Sequence, residues 1–106
     1  MIYSTTETIP GQEITEVLGV VTGNVVQSKH IGRDIMAGLK SIVGGEIRGY
    51  TEMLTEARDI AVARLVESAQ QKGADAVVGI RFTTSAITDG ACELMAFGTA
   101  VKLRAS

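Results

Sequence analysis

From Glu16 to Ser28 the chain reads EVLGVVTGNVVQS, a β-branched run with no clear polar side. Strict alternation puts Val17, Gly19, Val21, Gly23 and Val25 on one face and Leu18, Val20, Thr22, Asn24 and Val26 on the other. Both faces are mostly apolar, as in a strand covered on both sides. A chain of 106 residues has little material for two covers, so a neighbouring subunit is one expected source of the second. Before this strand, Met1–Ser4 reads as a short edge strand, and Thr5–Gln12, with Pro10 and Gly11, as a loop.

Two helical periods follow. Ile31, Ile35, Met36, Leu39, Ile42 and Val43 recur at steps of three and four, which predicts an amphipathic helix over about 31–43. Gly44-Gly45 ends it. A longer helix is predicted over about 50–72, stopping at Gly73. Its apolar face is Leu54, Ala57, Ala61, Val62, Leu65 and Ala69; Glu52, Glu56, Asp59, Glu67 and Gln70 lie opposite. Arg58 breaks the pattern, since the wheel sets it between Leu65 and Ala69.

After Gly73-Ala74-Asp75, the run Ala76–Ile87 alternates as a strand, with Val78, Ile80 and Phe82 on one side and Val77, Gly79, Arg81, Thr83 and Ser85 on the other. Asp89-Gly90 is a hairpin turn, so the last strand, Ala91–Arg104, pairs antiparallel with it. Glu93, Met95, Phe97, Thr99, Val101 and Leu103 form a large-residue side of this strand. Cys92, Leu94, Ala96, Gly98 and Ala100 form a mostly small side that lets a helix or sheet come close. The sum is a single α+β domain over residues 1–106, with an antiparallel sheet, one long helix and one shorter helix.

Composition narrows the function more than the fold. Aromatics are 4% and there is no Trp, so the core is aliphatic and rich in Ala and Gly. A formal net charge of -2 argues against a nucleic-acid surface, which needs a basic patch. No apolar run approaches the ~20 residues of a membrane span, and the first residues carry no signal-peptide pattern. One cysteine excludes an internal disulfide framework and suits a reducing cytoplasm. A cytoplasmic protein without nucleic-acid or membrane partners is expected.

Candidate chemistry is sparse. Soft or borderline metal ions want thiolate, imidazole or thioether, and the chain offers Cys92, His30, Met1, Met36, Met53 and Met95. No CxxC, HxxxH or HExxH spacing occurs, so Cys92 and His30 stand as metal candidates only if copies of the chain converge. The plainer reading makes Cys92 a small hydrophobe, His30 a helix-end residue and the internal methionines core. Ser28, Cys92 and His30 lie in no nucleophile-elbow context, and no catalytic residue or enzymatic activity is expected. Gly44-Gly45 matches no phosphate loop, and Glu46 beside it would repel phosphate. Arg58 calls for a structural ion pair, with Asp75, Glu93, Glu46 or Asp34, within the subunit or across an interface. Snorkelling to solvent and binding of an anionic ligand are the alternatives.

Six segments carry a resemblance. They are Gly19-Val20-Val21-Thr22-Gly23, Val43-Gly44-Gly45-Glu46, Tyr50-Thr51, Glu56-Ala57-Arg58, Gly73-Ala74-Asp75-Ala76-Val77-Val78-Gly79 and Gly98-Thr99-Ala100-Val101. In this order and spacing the chain resembles, over nearly its whole length, the YbjQ-like family, also called the heavy-metal-binding domain family. The resemblance implies an α+β subunit with a β-α-β-β core that assembles into a homopentameric ring, with a metal ion as its possible cofactor. It supplies no ligand set. A ring that binds a small molecule between subunits, or serves as a scaffold, is the alternative, and an enzyme with a site shared between subunits stands behind both.

Overall fold

A computed structural model describes residues 1–28, 48–88 and 91–106 of the chain. Its elements are β1 (Ile2–Tyr3), β2 (Gln12–Ser28), α1 (Arg48–Gln71), β3 (Ala76–Thr88) and β4 (Ala91–Ala105). The shorter helix expected at about 31–43 lies outside the described residues, as does the Asp89-Gly90 turn. Four strands form one sheet in the order β1-β3-β4-β2. β4 sits between β2 and β3 and is antiparallel to both. β1 is parallel to β3, so the sheet is mixed where a purely antiparallel one was expected. The hairpin signal could not reveal a two-residue strand that docks from the far end of the sequence.

Only a small-residue seam lets α1 lie this close to the sheet. Ala61, Leu65 and Ala69, one turn apart on the helix, are buried against Val21, Ala96 and Ala100, and Ala57 is buried one turn before them. At the crossing β2 carries Gly23, where a Cβ would collide with the Ala61 carbonyl oxygen and the Leu65 backbone nitrogen. Ser68 Oγ donates to the Thr22 carbonyl and an Arg64 guanidinium nitrogen to the Asn24 carbonyl, tying one flank of α1 to β2. The helix ends in a Schellman turn: Gly73, at φ 75°, donates to the Gln70 carbonyl, and Ala74 to that of Ala69.

Two bulges reset the alternation that the sequence suggested. In β2 the register slips between Val17 and Gly19, with Gly19 at φ 119°. Leu18 therefore joins Val21 and Val25 on the helix side, and Val17 joins Val20 on the other. In β3 the slip falls between Val78 and Arg81, with Gly79 at φ 64°. Val77, Ile80 and Phe82 consequently share the helix side, while Val78 falls with Arg81, Thr83 and Ser85. The strict pairing of Val78 with Ile80 and Phe82 is thus corrected.

A second, smaller core lies on the face away from α1. Ala76, Val78 and Val101 are buried there beneath Ile9, Ile14 and Leu103. The loop after β1 holds that cover in place. Ser4 donates to the Val77 carbonyl at 3.0 Å and Gly79 to that of Thr6 at 2.8 Å. This second core reaches only one end of the sheet.

Candidate functional site

Beyond the Ile9 loop, no described residue covers the face of the sheet opposite α1. The pairs Val20–Thr99, Thr22–Phe97, Asn24–Met95 and Val26–Glu93 set its two inner rows, and Arg81, Thr83 and Ser85 continue it on β3. Val17 is 65% exposed, Val20 70% and Val26 60%. Met95, Phe97 and Thr99 are half-buried. An antiparallel sheet with one solvated face normally turns polar side chains to water. Here Val17, Val20, Val26, Met95 and Phe97 stand among Thr22, Asn24 and Thr99, and exposed apolar residues grouped in this way mark a contact surface.

Two charged side chains, Glu93 and Arg81, share this face. Glu93 is half-buried, and its carboxylate accepts from Asn24 Nδ2 at 2.9 Å, with no cation paired to it among the described residues. A guanidinium nitrogen of Arg81 donates to the carbonyls of Thr5 and Ile80 at 2.9 and 2.8 Å, so this cation anchors the loop.

On the other face, α1 leans over β2 and β4 and leaves space toward β3 and β1. An open groove of about 580 Å³ runs there, lined by Tyr3, Val62, Val66, Asp59 and Glu67 among others. Phe82, on the same side of β3, is 45% exposed.

The residues singled out for chemistry do not converge. Cys92 is a free, exposed thiol on the α1 side of β4, opposite Gln27 and Ala86. Met95 projects from the opposite side of the same strand, so one chain cannot bring this thiolate and this thioether to one ion. His30 lies outside the described residues, as do Met36, Asp34 and Glu46. No group of three or more His, Cys, Asp or Glu side chains that could hold a metal ion occurs among the described residues. The described residues by themselves therefore do not build a soft-metal site.

Arg58 is exposed and donates to Thr55 Oγ1 at 3.2 Å. Of the carboxylates considered for it, Asp75 is taken. Asp75 accepts from the Leu103 N–H at 2.8 Å and lies 3.5 Å from Lys102 Nζ, and these two contacts hold its pKa below the ordinary 3.8. Glu93 is bound to Asn24 on the other face of the sheet. What sequence reasoning missed is Asn24, whose partner sits 69 residues away and becomes visible only through the β2–β4 register.

Comparison with known proteins agrees with the resemblance. Residues 1–104 match a family model described as "Putative heavy-metal-binding". The chain belongs to the YbjQ-like family. It is 86% identical over 104 residues to a UPF0145 protein of Psychromonas ingrahamii, covering 98% of this chain and 99% of that one. It is 60% identical over 103 residues to a UPF0145 protein of Thermotoga maritima, covering 97% of each. In fold it is similar to a crystal structure of a DUF74-family protein of unknown function from Pediococcus pentosaceus. The TM-score is 0.65 at 16% identity, over 98% of each chain. No helix among the described residues is long and apolar enough to cross a membrane.

Proposed function

We propose that this chain is the subunit of a homo-oligomeric ring, a pentamer by its family resemblance, that works in the cytoplasm as a binding or scaffold module and carries no reaction of its own. The observation that carries this reading is that the described residues leave Val17, Val20, Val26, Met95 and Phe97 without a covering layer on one face of the sheet. The shape of the subunit supports it. A compact chain of this length has a radius of gyration of about 13 Å, and this one has 17.1 Å. Its long dimension of 55 Å matches β2 alone, since 17 residues at a strand rise extend about 56 Å. Among the described residues, a sheet so long lies under one helix, and they leave apolar surface on its other face open.

Metal binding enters as the family's described property. In a ring, Cys92 and His30 from several copies are the donors to test. Light scattering after size exclusion should give a multiple of 11.1 kDa; a stable particle of 11.1 kDa defeats the ring. Calorimetric titration with Zn²⁺, Cu⁺ and Ni²⁺ should show binding that Cys92→Ala or His30→Ala weakens. Heats absent, or indifferent to both changes, remove the metal role. The groove beside α1 favours a second reading, a small molecule held between subunits, which native mass spectrometry of protein from its own host would show as added mass.

A further inference from the structure

Resting on the oligomer proposed above, the geometry points to which surfaces meet: the α1 flank Arg58–Val62–Val66 of one copy seats on the open row Glu93–Met95–Phe97 of the next. Arg58 then pairs with Glu93 of the partner subunit. Four observations carry this, and the first is charge. Among the described residues, Glu93 is a half-buried carboxylate with an amide donor but no paired cation, and Arg58 is an exposed guanidinium with a hydroxyl partner but no paired anion. Within one chain they lie on opposite sides of the sheet and cannot meet.

The second is pattern. Arg58, Val62 and Val66 follow one another at steps of four, about 6 Å apart on a helix. Glu93, Met95 and Phe97 follow at steps of two, about 6.6 Å apart on a strand. Each row reads charged, apolar, apolar. The third is direction and level. α1 ends beside Asp75, which is bonded to Leu103, so α1 and β4 run the same way. Gly23 marks a common level, crossing α1 at Ala61–Leu65 and pairing with Ala96. From there Arg58 lies about 5–10 Å toward the Ala91 end, and Glu93 about 10 Å toward the same end. A sideways displacement with no slip along the strands superposes the two rows.

The fourth is availability. Arg64 and Ser68 commit the other flank of α1 to β2, whereas Val62 and Val66 line the open groove with Tyr3. The contact joins two different surfaces, so it repeats head to tail, and a rotation between successive copies that sums to a full turn closes it as the ring proposed above.

Charge exchange tests the pairing on the full chain. Arg58→Glu and Glu93→Arg should each lower the assembled fraction at least tenfold by light scattering, and the double variant should return it to within about twofold of wild type. Circular dichroism checks that each variant folds. Independently, in a Cys92→Ser background, Val62→Cys with Met95→Cys should give a ladder of disulfide-linked chains on a non-reducing gel, and neither cysteine alone should. Wild-type assembly that ignores both reversals, a double variant that stays dissociated, or no ladder overturns the contact while leaving the ring in place. So does self-linking of Met95→Cys alone, which would mean open face against open face. A monomeric wild type overturns the ring and the contact together.

Discussion

On the α1 side of β4 stand Ala96, Gly98 and Ala100, all buried; on the other side of the same residues stand Met95, Phe97 and Thr99, all half-open. β2 repeats the contrast, with Val21 and Gly23 under the helix and Val20 and Val26 facing outward at 70% and 60% exposure. The side that is covered is made of the smaller residues. Small side chains bring the helix backbone onto the strand, so Leu65, at 0% exposure, fills the remaining space. The large residues opposite have no comparable cover among the described residues. Size therefore does not track burial within this chain. It tracks how close the covering layer comes, and the outer face has the dimensions of a surface waiting for one.

Substitutions separate the two sides. Gly23→Val should be the most damaging, because its side chain would have to displace α1 backbone at Ala61 and Leu65. A loss of more than about 3 kcal/mol in urea unfolding, or failure to fold, is expected. Leu65→Ala should cost about 3 kcal/mol through the cavity it leaves. Val20→Ser, on the open side, should cost the fold under about 0.5 kcal/mol at concentrations where the assembly is dissociated, while lowering the assembled mass at higher concentration. A Val20→Ser protein as unstable as Leu65→Ala would erase the distinction between the faces.

Acid sensitivity should show the smallest effect. Asp75 has its pKa lowered in the folded chain, first by the Leu103 N–H and then by Lys102. Its contribution is therefore present above the ordinary value of 3.8 and is lost as pH falls through the lower folded value. Asp75→Asn should leave a shallower fall in melting temperature below about pH 4 than wild type shows. Identical acid limbs would mean that the Leu103 bond survives without the charge.

Much of the fold was legible in the residues. The period-3.6 pattern placed the long helix within two residues of Arg48–Gln71, and Gly73 marked its stop. The small side of β4 announced a closely approaching helix or sheet, and it is α1 that covers it, with Ala96, Gly98 and Ala100 buried. The apolar character of both faces of β2 was equally plain, and it led to the candidate surface. The face assignments beyond the bulges were not legible. Counting by twos from Val17 or Val78 assumes an unbroken strand, and one extra residue at Leu18 or near Gly79 flips every side chain beyond it.

Local pattern was enough to specify a strand, a long helix and a hairpin-paired strand, because periodicity and glycine punctuation act over a few residues. The sequence also declared an apolar surplus in β2. Pairing in space settled the rest. It docked Ile2–Tyr3 parallel to β3, chose the small side of β4 for α1, and joined Asn24 to Glu93 across the β2–β4 register. It also set Cys92 and Met95 on opposite sides of one strand and left Arg58 in solvent above the helix side. Such relations depend on register and layer, which arise only when distant segments pack, so no reading of one segment contains them.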